Sequence, residues 1–543
     1  MKKILIILGL FVLTSLTIYN YNCINLPATS YHYMTLSEMP IDIQNQTFPL
    51  ADTVRNMDNM PYSIGLNGLP NNTTDAGATL GRVLFYDVDL SKNRTISCAS
   101  CHKQEFGFSD TAKFSKGFLG GLTGRNSMGL IHTRFDKAIV MFWDGRAKDV
   151  ETQVTMPIRD GVEMGMTVAN TNNHQWDTIT ARVRTKAFYP ALFRAAFGST
   201  TIDSQRITLA LAQFVRSMNS YTSRYRKTID ACKCNPAAQS LVSAGFTAQE
   251  DLGRQLFMDV TRGNCQACHT RNIFVPQGAQ NNGVDGSILA GGKWKWTAWS
   301  TRDDYKGKDS GFAGVKAVGN YSGVLGRDSS KVKTLIGRVK VPSLINIGLT
   351  APYMHDGRFK TLDEVINFYS DSIKNNDYNT LSAFFRNIDP RVPGAPNNVT
   401  NQLAIDTAPV RTIHYTVAEK AALKAFLLTL TDTGFVRDPK FSNPFCVTSS
   451  TARTSQTESA QLKEVLSLTT NPYLSGLYTN TISGQNFMGS INVYTIDGKL
   501  VAQKLNVFGM GSNELVFPFI SKGEYIITVE THNSVVYSKQ III

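Results

Sequence analysis

Apolar and polar positions change period along this chain, and each change marks a different element. After Met1, Lys2 and Lys3 an apolar run extends from Ile4 to about Tyr19. A charged start followed by an apolar stretch reads as an export signal, placed here at residues 1–22. Helical spacing then takes over. The phrase LGRVLFYDV from Leu80 puts Leu and Phe on one face of a short helix, and LGRQLFMDV from Leu252 agrees with it at seven of nine positions. A second echo follows each phrase, DGRAKDVE from Asp144 and DGRFKTLD from Asp356. Both lead into helical patterns, carried by Val150 and Val154 in one copy and by Leu362, Val365, Ile366 and Tyr369 in the other. A last helix opens on a capping box, Thr416 with Glu419, and runs through Ala422, Phe426 and Leu430. From about Asn471 the period falls to two. Ile491, Val493 and Thr495 alternate before Asp497-Gly498, and Tyr525, Ile527 and Val529 before Asn533-Ser534, which predicts two hairpins.

The repeated phrases are an internal duplication. The 543 residues exceed what one core supports. The expected architecture is mainly α: two tandem helical domains at 50–235 and 245–440, followed by a small C-terminal β-sandwich at 468–543. The boundary falls near Cys232 to Ala244, a segment broken by Pro236 and small residues. The second copy also holds a long polar loop from about Gln277 to Lys333 with Trp294, Trp296 and Trp299 inside it. Those tryptophans either pack on the domain or relay electrons.

Net charge is +13, but the lysines and arginines are scattered. With export, scattering argues against nucleic acid and leaves an acidic redox partner as the functional use of the field. Eight cysteines refine this. Four of them form two C-x-x-C-H pentads, Cys98/Cys101/His102 and Cys265/Cys268/His269. That spacing attaches haem c: two thiols add across the vinyl groups, and the adjacent histidine sits beneath the iron. A zinc ribbon would repeat its C-x-x-C within about 15–20 residues, which these pentads do not. Two covalent haems therefore turn the two helical domains into cytochrome c-like haem domains. Cys232, Cys234 and Cys446 have no assigned role, and Cys23, preceded by Tyr21 and Asn22, is a poor lipidation site.

With FWDGRAKDVETQ and APYMHDGRFKTLDEV added to the pentads, residues 50–440 resemble the bacterial di-haem cytochrome c peroxidases, and share a scaffold with the di-haem enzyme of methylamine utilisation. The resemblance implies a peroxidatic haem in the first domain and an electron-relay haem in the second. Residue by residue it implies that Trp143 bridges the haems, that Gln153 and Glu163 line the peroxide pocket, and that Glu163 moves the proton in O–O cleavage. It implies calcium at Asn126 with the carbonyls of Thr350 and Pro352, and it places His355 near the relay haem. It implies a small electron-donor protein, a cytochrome c or similar, as partner to H2O2, and leaves the oligomeric state open, a homodimer included. The tail phrases NPYLSG, VYTIDGKLV, KGEYIITV and SKQIII resemble the sorting domain of the type IX secretion machinery. Transit through the periplasm to the cell surface or the medium would follow.

One feature departs from that pattern. Many members of the family carry a histidine ligand shortly before the GRN motif, where this chain has Phe118; His132 and His174 are the remaining candidates. Thirteen residues after Asp356 lies Tyr369, where the family supplies the relay haem's sixth ligand, with Met354 or His355 as alternatives. Thirteen residues after Asp144 lies Pro157, which has no donor atom. An open first haem follows from this. Peroxidase, peroxide-dependent oxidase or maturase, and plain electron carrier are the three functions that remain.

Overall fold

The computed structural model describes residues 19–35, 38–40, 71–135, 141–147, 149–167, 174–233, 239–270, 339–373 and 412–447. It also describes short pieces between 274 and 296, residue 410, and strands between 466 and 542. The chain divides into one compact unit of Asn20–Cys446 and another of Met1–Tyr19 with Val447–Ile543.

Helices dominate the larger unit: α1 (Asp75–Tyr86), α2 (Cys98–Cys101), α3 (Val150–Arg159), α4 (His174–Arg184), α5 (Tyr189–Phe197), α6 (Ser204–Ser217), α7 (Arg224–Cys232), α8 (Ala248–Met258), α9 (Leu362–Asn367) and α10 (Val417–Leu428). The expected capping box stands at Thr416 and Glu419, and α8 opens on another at Thr247 and Glu250. The glycine of each LGR phrase explains the repeat. A Cβ on Gly81 of α1 would stand 2.0 Å from the Ala210 carbonyl oxygen of α6, and one on Gly253 of α8 would stand 1.9 Å from the Ala422 carbonyl oxygen of α10. Only glycine lets each helix pair cross at backbone contact. The phenylalanine of each phrase then centres a small aromatic core: Phe85 lies edge-on to Phe108 and Phe214, and Phe257 packs on Phe274 and Phe426.

The DGR phrases also fold alike. Met141 bridges to Ala147 and Tyr353 to Phe359. Inside each tight turn Phe142 and Met354 take left-handed backbone angles (φ 68° and 72°), as do Gly145 and Gly357. A bulky residue with positive φ is strained and is held there only by its surroundings. Asp144 and Asp356 clamp the turns through Arg146 and Arg358 respectively. The 435–441 segment returns to the first copy: Phe435 and Phe441 both pack edge-on to Phe108, and Gln104 Nε2 donates to the Asp438 carbonyl.

Two features of this unit were not legible in the sequence. Strand β1 (Tyr19–Ile24) pairs with β2 (Phe445–Val447), and Cys23 forms a disulfide with Cys446 across a sequence separation of 423. A disulfide fits an oxidising compartment and an exported chain. A buried cluster also joins α1 to α5: Asp87 accepts from Lys186 Nζ at 2.6 Å and from the Tyr189 hydroxyl at 2.6 Å.

In the tail, β3 (Leu466–Thr470), β4 (Leu477–Thr481) and β7 (Asn513–Leu515) form a three-stranded sheet in the order β7-β4-β3. A four-stranded antiparallel sheet runs β6-β5-β8-β9, from β5 (Met488–Thr495), β6 (Leu500–Phe508), β8 (Glu524–Thr531) and β9 (Ser534–Ile542). Both expected hairpins are present, Val493 facing Ala502 and Val529 facing Tyr537. Trp294 and Trp296 lie on a short strand paired with Gly286–Ile288, and Trp299 falls outside the described residues.

Candidate functional site

The first pentad is built on a single helical turn. Ser97 and Ser100 cap each other reciprocally, which closes α2 over Cys98–Cys101 and releases His102 at its end. The Nδ1–H of His102 donates to the Phe108 carbonyl at 2.9 Å. With the proton fixed on Nδ1, Nε2 is the ring atom left to bind iron. Burial pushes Cys98 up to about 12 and Cys101 up to about 11, and it lowers the His102 pKa, so the imidazole is held neutral, the ligating form. The second pentad repeats the device. His269 donates from Nδ1 to the Pro342 carbonyl at 3.0 Å, and burial pushes its pKa down to about 4 and that of Cys268 up to about 12. Both pentads therefore fit a covalent haem c on the chemistry of their donors.

Glu163 lies beside the first pentad. Its charge acts on both Cys98 and Cys101, so the carboxylate lies near the two thiols. The chain folds back there because the Pro157 carbonyl accepts the N–H groups of Asp160 and Met164, while Asp160 Oδ1 accepts those of Val162 and Glu163. Burial first, and then the charge of Asp160, raise the Glu163 pKa to about 7, against the opposing charge of Arg146. A half-buried Gln153 stands one turn before Pro157 on α3. Phe118 covers this turn: its N–H donates to the Glu163 carbonyl at 2.9 Å, and its ring lies where a Cβ on Gly165 would be 2.4 Å away.

His132 is not poised as a ligand there. Its Nε2–H donates to the Ser220 carbonyl at 2.9 Å, and the ring packs on Phe135 and Tyr221. The side chain of His174 lies outside the described residues.

Tyr369 sits beside the second pentad, within reach of the charges of Cys265 and Cys268. The helical spacing expected through Tyr369 breaks. After Asn367 the chain widens to a π-turn over Phe368–Ser372 that carries Tyr369. Such turns recur at functional sites. Asn282 Nδ2 donates to the Tyr369 hydroxyl at 3.0 Å and lies 3.7 Å from Met354 Sδ. Two of the three ligand candidates, Tyr369 and Met354, thus share one neighbour, Asn282, which no sequence signal marked. Burial raises the Tyr369 pKa well above the usual phenol range.

Trp143 and His355 are both buried, with ring centroids 6.1 Å apart. Trp143 Nε1 donates to the Asn126 carbonyl at 2.8 Å, and the Asn126 N–H donates to the His355 carbonyl at 2.8 Å. The Trp143 carbonyl also accepts from the N–H of Lys340, two residues before the Pro342 that orients His269. Of the three expected calcium ligands, Asn126 is buried, with its amide donating to the Ala112 and Lys113 carbonyls. Thr350 lies alongside Gly107 and Gly129, and Pro352 two residues on is half-buried.

Comparison with known proteins matches residues 75–232 to the family model described as di-haem cytochrome c peroxidase, and residues 463–543 to the secretion system C-terminal sorting domain. The methylamine utilization protein MauG of Methylophilus methylotrophus is 28% identical over 304 residues, covering 55% of this chain and 74% of that protein. The cytochrome c551 peroxidase of Nitrosomonas europaea is 28% identical over 290 residues, covering 53% and 71%. Among solved structures, a MauG-like protein associated with microbial copper homeostasis superposes with a TM-score of 0.51 at 29% identity, over 69% of this chain and 94% of that one.

Proposed function

Because the chain carries a di-haem cytochrome c peroxidase domain and ends in a secretion-system C-terminal sorting domain, we propose that it reduces H2O2 to water with electrons from a small donor protein such as a cytochrome c. The observation that carries this reading is Glu163, a carboxyl held close to Cys98 and Cys101 of the first haem-attachment pentad by the turn after α3. The residues fall into two tandem cytochrome c-like domains, with His102 and His269 as the proximal iron ligands and the tail strands as a β-sandwich. When bound, haem iron supplies the electrons that break the O–O bond.

The chain's own residues do the rest. Glu163 accepts the proton from one oxygen of H2O2 and returns it to the other, which leaves as water, and the donor's two electrons with two further protons convert the remaining oxygen to the second water. Gln153 orients the peroxide. Phe118 and Pro157 offer no donor atom, which keeps the distal face open to substrate. Trp143 and His355 join the pockets through van der Waals and hydrogen-bonded contact. A calcium ion held by Asn126 and the carbonyls of Thr350 and Pro352 would brace that junction with oxygen ligands. The apolar leader, the Cys23–Cys446 disulfide and the sorting domain support export through the periplasm to the cell surface or beyond.

Tyr369 beside the second pentad supports a second reading, a peroxide-dependent oxidase or maturase acting on a bulky substrate, because iron binding would take the buried phenol as its phenolate, which stabilises oxidised iron. Pyridine haemochrome analysis combined with a peroxide turnover assay on the purified holoprotein tests the first reading. Two haems c per chain and catalytic H2O2 consumption with a reduced cytochrome c are expected; one haem per chain, or stoichiometric consumption only, overturns it.

A further inference from the structure

Seven large apolar side chains are exposed among the described residues, and three of them belong to one place: Leu119 (79% exposed), Leu122 (56%) and Val162 (43%). Exposed apolar residues scattered singly need no explanation; a contiguous group does. This group is built by close packing of two loops. A Cβ on Gly117 would stand 1.6 Å from the Val162 carbonyl oxygen, so the 117–122 loop lies directly on the 160–165 turn. Gly121 meets the Val162 side chain, with a built Cβ 3.3 Å from Cγ1. Gly117 N–H to Gly121 O (2.7 Å) and Gly120 N–H to Gly117 O (2.9 Å) close the loop into a tight bend that lifts Leu119 to its tip. Asn93 Nδ2 anchors the bend by donating to the Phe118 carbonyl at 2.7 Å.

The underside of the same bend packs on the turn that carries Glu163. Phe118, between Gly117 and Leu119, donates its N–H to the Glu163 main-chain carbonyl, and Val162 is the residue before Glu163. The apolar group and the proton-carrying group are therefore two faces of one structure. H2O2 is small and polar, and gains nothing from three aliphatic side chains beside Glu163. A hydroperoxide with a hydrocarbon part gains from all three.

Resting on the peroxidase reading above, we propose that this site takes organic hydroperoxides, with the hydrocarbon part on Leu119, Leu122 and Val162 and the O–O group at Glu163. The step balances as ROOH + 2 electrons + 2 protons giving ROH and water. The O–O bond breaks, the alkyl-bearing oxygen becomes the alcohol, the other oxygen leaves as water, and the electrons come from the same reduced donor protein.

The holoprotein and its Leu119→Ser/Leu122→Ser double variant are compared by kcat/KM for H2O2 and for cumene hydroperoxide, with reduced cytochrome c as donor. The cumene hydroperoxide to H2O2 ratio should fall about tenfold in the variant, the scale set by apolar contacts in specificity pockets. Saturation-transfer NMR with 2-phenyl-2-propanol, the product alcohol, reads binding without turnover: the parent should bind it and the variant should not. Failure to turn over any peroxide overturns the peroxidase reading, and alcohol binding then decides this proposal by itself. Turnover of H2O2 with an unmoved ratio, or an alcohol that does not bind, overturns the proposal alone. So does sedimentation showing a parent dimer that the double variant splits into monomers, because the leucines would then cover a second copy.

Discussion

Trp143 and His355 occupy the same position in the two DGR turns, one residue before Asp144 and Asp356, and their rings meet at 6.1 Å. The duplication thus brings equivalent residues of its two copies into edge-on contact. One turn faces the first pocket, because the charge of Arg146 acts on Glu163. The other faces the second, because Met354 and Tyr369 share Asn282. We propose that an electron passing between the two haem sites crosses this pair.

Replacing Trp143 with Phe keeps the packing and removes both the indole and its hydrogen bond to Asn126. Stopped-flow spectra should show the second haem reduced by donor at the parent rate and the first re-reduced several-fold more slowly. Equal rates at both haems would remove Trp143 from the route.

If Glu163 carries the proton as proposed, it sets the pH dependence. Burial raises it to about 7, so it is protonated below that pH and is a carboxylate above. Only the carboxylate accepts a proton from peroxide, so kcat/KM for H2O2 should rise with pH through an inflection near neutrality. Glu163→Gln should retain both haems, lose the inflection and turn over ~10² to 10⁴ more slowly. Turnover within twofold of the parent would exclude the role.

The glycine crossings make a stability prediction that separates packing from backbone freedom. Gly81→Ala and Gly253→Ala each drive a methyl into a backbone carbonyl, at 2.0 and 1.9 Å. Overpacking of this kind costs about 1–3 kcal/mol, and the unyielding neighbour favours the upper end. Gly124 has nothing within 4 Å of a built Cβ. Its replacement by Ala should be neutral or stabilise by up to about 1 kcal/mol. Thermal unfolding of the three variants should rank them in that order.

Lys186 and Asp87 are 3% and 0% exposed, and a Lys186→Met change leaves the carboxylate buried with only Tyr189 as hydrogen-bond donor among its side-chain partners. Breaking a buried pair from one side costs about 3–5 kcal/mol. Burial already raises the Asp87 pKa, against the opposing charge of Lys186, and removing the lysine should raise it further. A carboxyl with a raised folded-state pKa loses stability as pH rises and recovers it as pH falls. The deficit of the variant, measured by denaturant unfolding, should therefore be smaller at pH 5 than at pH 8.

What could be read in the sequence follows from how local each constraint is. The haem pentads are legible because two thioether bonds and an iron ligand need contiguous residues at fixed spacing. The LGR and DGR phrases are legible as repeats. Their purposes are not, because Gly81 answers to Ala210 and Trp143 to His355, partners set by the fold. Cys23 and Cys446 form a disulfide although neither carries a local signal. Asn282 is one amide in a long polar loop until the fold sets it against Tyr369. The helical period that reached Tyr369 was right to Asn367 and wrong beyond it, where the chain widens into the π-turn.

That π-turn bears on the last prediction. It holds Tyr369 beside Cys265 and Cys268, and its backbone is pinned where the Ser370 carbonyl accepts the N–H groups of Ile413 and His414. The corresponding place in the first copy is Pro157, inside α3, and the covering residue is Phe118; neither can bind iron. The two haems should therefore differ at rest, the first high-spin with an open or water-bound face and the second low-spin. Electron paramagnetic resonance of the oxidised holoprotein reads both. Tyr369→Phe should change only the second signal, because the tyrosine lies far in sequence and in contacts from the Glu163 pocket. If the second signal survives that change and is lost on Met354→Ala instead, the sulfur 3.7 Å from Asn282 Nδ2 is the ligand. Two low-spin signals at rest would refute the open first haem, and with it the claim that Phe118 and Pro157 leave peroxide a free coordination site without prior reduction.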